Sequence, residues 1–145
     1  MPLESVRFAV LGPVRVWRGE TELDPGGPQE RALLALLLVR AGDPVGLEEI
    51  VDALWGAEPP RSAVNVIRRH AGSLRRLLEP GLAVRAEGRW LVRAAGGYRL
   101  VTHGDCLDLL RFRELCEAGR RAAGESPGRA VELFTEALAL WRGPA

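Results

Sequence analysis

All 20 basic side chains in the 145-residue chain are arginine, and lysine is absent. A phosphate-binding loop ending in Gly-Lys-Ser/Thr is therefore excluded, and so is Schiff-base chemistry on a lysine amine. His70 and His103 have no cysteine, histidine or acidic partner at metal-ligand spacing, so no metal site is expected. No Ser-His-Asp order with a nucleophile elbow occurs. With no residue set to carry catalysis and none to hold a cofactor, neither is expected. Cys106 and Cys116 stand ten residues apart in what reads as one helix. At ~1.5 Å per residue that separates them by roughly 15 Å, too far for a disulfide, and they read as partly buried thiols of a reducing cytosol. What remains is what arginine does without catalysis. Its planar fork grips phosphate oxygens and the acceptor edge of guanine.

The arginines are unevenly placed. Residues 1–60 carry a balance of −5, residues 61–102 of +7 and residues 103–145 of −1. A chain with a net charge of only +1 thus gathers its positive charge into about forty residues, the footprint expected for a polyanion. The alternative is a plain solvated arginine face. Composition is that of a globular protein, with 47% hydrophobic and 27% charged residues. The longest apolar run, Ala32 to Val39, is eight residues, too short to span a bilayer, and no export signal is read near Met1. No membrane partner is expected.

The elements that must position these arginines follow from periodicity. Val6, Phe8 and Val10 alternate as a half-buried strand, Gly12-Pro13 breaks it, and Val14 to Trp17 and Thr21 to Leu23 continue a small antiparallel meander. Gln29 to Ala41 is a Leu- and Ala-rich helix, apolar around most of its circumference and stopped by Gly42. The stretch from Asp43 to Gly46 reads as a loop. A second helix runs from about Leu47 to Trp55, with Leu47, Ile50, Val51 and Leu54 on one face and Glu48, Glu49 and Asp52 on the other. Pro59-Pro60 interrupts, and a third helix runs from Ser62, its N-cap, to Leu78.

At ~100° per residue, Ala63, Ile67, Ala71, Leu74 and Leu78 of this third helix fall on one buried stripe. Opposite lie Asn65, Arg69, Gly72 and Arg76, with Arg61, Ser62, Arg68 and Ser73 beside them and Arg75 on the flank. Glu79-Pro80-Gly81 ends the helix. The segment from Leu82 to Arg93 is mixed, with Trp90 to Arg93 its best strand. Ala94 to Gly97 turns the chain into Tyr98 to Val101, and Trp55, Trp90 and Tyr98 are expected in the core. Three helices followed by a basic hairpin form a winged helix-turn-helix. From Asp105 two antiparallel helices follow, one to about Ala123 and one from about Gly128 to Trp141. They resemble one unit of a tetratricopeptide-like repeat and read as the front of a larger α-helical domain. The alternative is a helix pair packed back on the winged fold. The fold expected is α+β, with a DNA-binding unit over residues 1–102 and an all-α segment over residues 103–145.

Leu11-Gly12-Pro13-Val14-Arg15-Val16, Gln29-Glu30-Arg31-Ala32-Leu33-Leu34-Ala35-Leu36-Leu37-Leu38 and Ala53-Leu54-Trp55-Gly56 carry a resemblance to the SARP/AfsR family of actinobacterial regulators that covers nearly the whole chain. Pro59-Pro60, Leu74-Arg75-Arg76-Leu77-Leu78 and Gly96-Gly97-Tyr98-Arg99-Leu100 extend it. Asp108-Leu109-Leu110-Arg111-Phe112 and Ala137-Leu138-Ala139-Leu140-Trp141-Arg142-Gly143-Pro144 are similar to the first two helices of that family's bacterial transcriptional activation domain. The resemblance implies an OmpR/PhoB-type winged helix that binds direct repeats near promoters, as a dimer or in tandem. It also implies activation of antibiotic or other secondary-metabolite genes by recruiting RNA polymerase, in the cytoplasm at the nucleoid. His70 and Ser73 depart from the family, which often carries an aromatic and a basic residue there. No receiver-like segment precedes the winged helix, so control by receiver phosphorylation is not expected.

In such a fold the third helix enters the major groove, which at ~12 Å admits a helix. Asn65, Arg68 and Arg69 are the candidates for base edges, since Arg pairs with guanine and Asn with adenine. Arg61, Arg75 and Arg76 are candidates for phosphates, Ser62 sits at the helix start, and Arg93 and Arg99 belong to the wing. Within the family resemblance, the Arg99 of Gly-Tyr-Arg is the one that fits the neighbouring backbone or minor groove. The acids Glu48, Glu49 and Asp52 suit a basic partner surface. The resemblance would make that partner RNA polymerase, through its sigma factor or the C-terminal domain of its α chain. Two other readings stay open: a protein-interaction module with the winged fold as scaffold, and the regulatory head of a larger AfsR-like NTPase.

Overall fold

In the computed structural model, residues 5–81, 88–102 and 106–144 are described. The meander forms as β1 (Val6–Ala9), β2 (Arg15–Arg18) and β3 (Thr21–Leu23), antiparallel in that order. Its alternation sends Val6, Phe8 and Val16 inward, while Arg7 and Trp17 sit opposite each other on the outer face. Next comes α1 (Pro28–Val39), opened by a proline at its first helical position, where the missing N–H costs nothing. Leu33, Leu34, Leu37 and Leu38 are buried, as a helix apolar on most sides requires. The helix closes through Arg40, Ala41 and Gly42, the last two at positive φ (49° and 96°).

The segment read as a loop contains a strand. Val45–Gly46 is β4, which leads directly into α2 (Leu47–Trp55). A third helix, α3 (Ala63–Leu78), precedes the hairpin β5 (Leu91–Ala94) and β6 (Gly97–Leu100). β4 pairs with β6, so the wing is a three-stranded sheet in the order β4-β6-β5. The hairpin turns on Ala95 and Gly96, both at positive φ (46° and 75°), as a two-residue type I′ turn demands. Gly97 is needed for a different reason. A Cβ there would collide with the Val45 carbonyl oxygen, so only glycine lets β4 and β6 close. Trp90 lies just outside the strand, half-buried and edge-on to Phe8 with ring centroids 6.3 Å apart. Trp55 is likewise half-buried against the core and Tyr98 fully buried.

The remaining helices are α4 (Asp108–Ala123) and α5 (Pro127–Ala139), so Trp141 falls beyond the helix end. They pair through a small core of Leu115, Leu133 and Ala137. Gly119 permits the close crossing, because a Cβ there would stand 2.6 Å from the Phe134 ring. Cys106 is not helical. It is buried in the stretch before α4, whereas Cys116 lies within α4, and no disulfide joins the two. The helix pair docks on the meander: the Phe8 N–H donates to the Cys106 carbonyl at 2.6 Å, and Phe8 and Leu107 form a parallel bridge. The Asp108 carboxylate accepts from the Val10 and Leu11 N–H groups at 2.9 and 3.1 Å. Beyond α5, the Arg142 N–H reaches the Leu11 carbonyl at 3.0 Å and its guanidinium the Pro13 carbonyl at 2.8 Å. Cys106 and Leu107 belong to the same main core as α1 and α3.

Candidate nucleic-acid interface

The stripe on α3 that faces the core consists of Ala63, Ile67, Ala71, Leu74 and Leu78, joined by His70. His70 is 9% exposed, with Nε2 3.1 Å from Gln29 Oε1 and Nδ1 3.4 Å from Glu30 Oε1. This polar link seats the middle of α3 on the start of α1. A stripe drawn from the apolar residues alone leaves it out, because an imidazole carries no apolar signal.

With that face committed, the opposite one stands in solvent. Asn65, Arg68, Arg69 and Arg76 are exposed on the helix, and Arg61 and Ser62 are exposed in the turn that leads into it. Ser62 holds the N-cap position without a side-chain cap bond. From Arg61 to Leu78 no acidic residue occurs. The basic face is therefore presented by a rigid, buried stripe beneath it, which fixes where its forks point.

Arg75 behaves differently from its neighbours. Placed among the phosphate contacts by its flank position, it is half-buried, and its Nε–H donates to the Leu91 carbonyl at 3.2 Å. Its guanidinium lies 5.8 Å from the Tyr98 ring centroid. Arg75 thus ties α3 to both strands of the hairpin, a bracing contact that comes in addition to the phosphate contact expected from its flank position. The reason is the wing itself: β5 runs past the flank of α3, and that is not visible from a helical wheel.

The two wing arginines separate. Arg93 pairs with Tyr98 and Val92 with Arg99 in the antiparallel register, so Arg93 and Arg99 project from opposite faces of the hairpin. Arg93 shares a cleft of about 400 Å³ with Arg68, floored by Leu47 and Tyr98 and closed by the Ala94–Gly97 turn. The structure therefore brings Arg68 and Arg93 together across the gap between helix and wing. Arg99 is half-buried on the other side. Arg85 and His103 lie outside the described residues.

The acidic face of α2 also divides. Glu49 forms an ion pair with Arg40 just past the end of α1, with its carboxylate oxygens 2.8 and 3.2 Å from the two guanidinium nitrogens. The pair lies partly exposed at the surface. Glu48 and Asp52, one turn apart and both exposed, line a shallow cleft with Leu47, Val51 and the exposed Val64 of α3. Among the described residues no group of three or more His, Cys, Asp or Glu side chains could hold a metal ion. No helix among them is long and apolar enough to cross a membrane.

Two family models match the chain. "Transcriptional regulatory protein, C terminal" covers residues 22–100 and "Bacterial transcriptional activator domain" residues 107–145. The regulatory protein AfsR of Streptomyces coelicolor is 43% identical over 96% of the chain, which spans 13% of AfsR. The transcriptional regulator RedD of the same organism is 38% identical over 97% of the chain, which spans 40% of RedD. Mycobacterium tuberculosis EmbR, solved in complex with a low-affinity phosphopeptide, superposes with a TM-score of 0.87. It is 34% identical over 98% of this chain and 37% of the EmbR chain. The chain thus spans well under half the length of each of these relatives.

Proposed function

Because the chain belongs to the SARP family of transcriptional regulators, carrying that family's winged-helix DNA-binding fold, we propose that it activates transcription by reading a double-stranded operator with α3. One observation carries this reading. The solvent face of α3 presents Asn65, Arg68, Arg69 and Arg76 without a single acid, on a helix whose other face is locked in the core. Laid in the major groove, Asn65, Arg68 and Arg69 meet base edges, while Arg61, Ser62 and Arg76 meet phosphates. Arg93, across the cleft from Arg68, holds the backbone that flanks the same groove. Arg99, on the far face of the wing, serves the neighbouring backbone or minor groove.

We divide the chain into a DNA-binding unit over residues 1–102 and the first helices of an activation domain over residues 103–145. The target genes are those of secondary-metabolite or antibiotic biosynthesis, and the operator is a direct repeat bound in tandem or as a dimer. The protein works in the cytoplasm, at the nucleoid, and performs no catalysis within these residues. RNA polymerase is recruited through its sigma factor or the C-terminal domain of its α chain. Glu48 and Asp52 suit that contact, since they stay exposed and unpaired with any base of their own chain among the described residues.

Salt titration of a gel shift tests the electrostatic core of this reading. Log K should fall by about 0.9 per phosphate contact for each unit of log salt, giving a steep loss between roughly 50 and 200 mM. A flat response refutes DNA binding by this face.

A further inference from the structure

We propose that the cleft between the meander and the α4–α5 pair binds a small organic anion with a planar ring, of the size of a nucleoside monophosphate. The cleft has a volume of about 550 Å³, inside the range of roughly 300–1,000 Å³ typical of small-molecule sites. Arg7, Arg111 and Arg142 line it, along with the Trp17 ring and the apolar Leu107 and Leu140. An aromatic wall beside clustered guanidinium groups is suited to a flat ring that carries a phosphate or carboxylate.

The charges around the cleft leave room for such an anion. Asp108 is the only carboxylate among the described lining residues, and its two oxygens accept from Val10 and Leu11 N–H. It is fully engaged in docking the helix pair. Arg111 shares its charge with Glu136 at 3.2 Å and Glu114 at 3.7 Å. Arg142 spends one nitrogen on the Pro13 carbonyl and also feels Glu22, which Arg15 already hydrogen-bonds. Arg7 has no ion-pair partner among the described residues. Its guanidinium lies 5.0 Å from the Trp17 ring, and Arg15 lies at the same distance from that ring. Arg7 and Trp17 are direct cross-strand partners, so the sheet register itself places a cation next to a stacking surface. An arriving anion would give Arg7 its missing counter-charge.

The cleft is separate from the DNA-reading face, since no residue of α3 or of the wing lines it. It also exists only while α4 and α5 sit on the meander. An occupant would bridge the two parts of the chain and favour the docked arrangement. Such a ligand would act on how the activation helices are held, without entering the DNA groove.

Calorimetric titration of the 145-residue chain with AMP and with phenyl phosphate tests the proposal, with adenosine and inorganic phosphate as the ring-only and anion-only arms. At least one of the two ring-bearing anions should bind at a single site, about tenfold or more tighter than either arm, as expected when a charge-assisted contact and a stacking contact are both required. Arg7→Gln, an exposed change that leaves the core intact, should weaken that binding by a similar factor. Trp17→Leu should do the same, with circular dichroism to confirm folding. The double variant Arg68→Gln, Arg69→Gln should leave it unchanged. Absence of binding by both ring-bearing anions, equal binding of either arm, or indifference to Arg7→Gln would each overturn the proposal. Loss of binding in the Arg68/Arg69 variant would overturn it too, by placing the anion on the DNA face.

Discussion

At the scale of single residues, the basic face of α3 combines two kinds of arginine that differ in what they can tell apart. Arg69 sits at the centre of the exposed arc, where a fork can reach two acceptors on one guanine. Arg76 lies two turns further along, where in the docking we propose the helix leaves the groove and meets backbone phosphates. Arg69→Ala should cost about 1–3 kcal/mol and relax preference at one base position, whereas Arg76→Ala should weaken all sequences alike. Selection of bound sequences from a random DNA pool by both variants checks this, and identical specificity profiles would show the face to be misassigned. Arg75 shows how little residue type decides by itself. One position from Arg76, with the same chemistry, it spends its Nε–H on the Leu91 carbonyl because the wing passes there. Glu49 is the acidic counterpart, drawn to Arg40 while Glu48 beside it stays free. Both distinctions depend on residues distant in sequence, so a helical wheel cannot contain them.

At the scale of elements, what the sequence reveals depends on length and period. α2 runs Leu47–Trp55 as its apolar spacing predicts, and α3 starts right after Ser62 and ends at Leu78, because each pattern repeats over enough turns to declare its face. β4 has two residues, too few to show any alternation, and is hidden in a Pro-Val-Gly stretch that reads as a loop. It exists because Gly97 of β6 lets the Val45 carbonyl approach, and it carries the chain straight into α2. Cys106 reads as helical because the apolar pattern of α4 extends past its true start. Its carbonyl is instead held by the Phe8 N–H, a pairing with β1 that no local signal announces. The wing's dependence on β4 has a measurable consequence. Gly97→Ala should destabilise the fold by about 1–3 kcal/mol through overlap with the Val45 backbone. It should also weaken DNA binding more than Arg99→Ala does, because it displaces the strand pair that carries both Arg93 and the brace to Arg75. A thermal melt unchanged from wild type would show that β4 and β6 need no such closeness.

At the scale of the whole molecule, the basic and acidic surfaces have to be reconciled on one small body that would sit on DNA. Exposed carboxylates near phosphates are repelled, so Glu48 and Asp52 make sense on a bound activator only where their face turns from the duplex. Ile50 is buried on the inner side of α2, and Glu48 and Asp52 are left on an outer edge beside Val64 at the start of α3. That edge offers two unpaired charges around an apolar patch of Leu47, Val51 and Val64, a small version of the mixed surface used in transient protein contacts. On a promoter a basic partner surface of RNA polymerase is the occupant we propose. Glu49 already pairs with Arg40, so the first change to make is the double substitution Glu48→Gln, Asp52→Asn, which removes charge with little change in shape. DNA affinity should hold or rise slightly, because two repulsive charges are gone. Transcription from a cognate promoter in a purified polymerase assay should drop at saturating DNA occupancy, while Glu49→Gln should lower thermal stability slightly and leave activation intact. Full activation by the double variant would remove this surface from the mechanism and move the polymerase contact elsewhere, with the α4–α5 pair the next place to look.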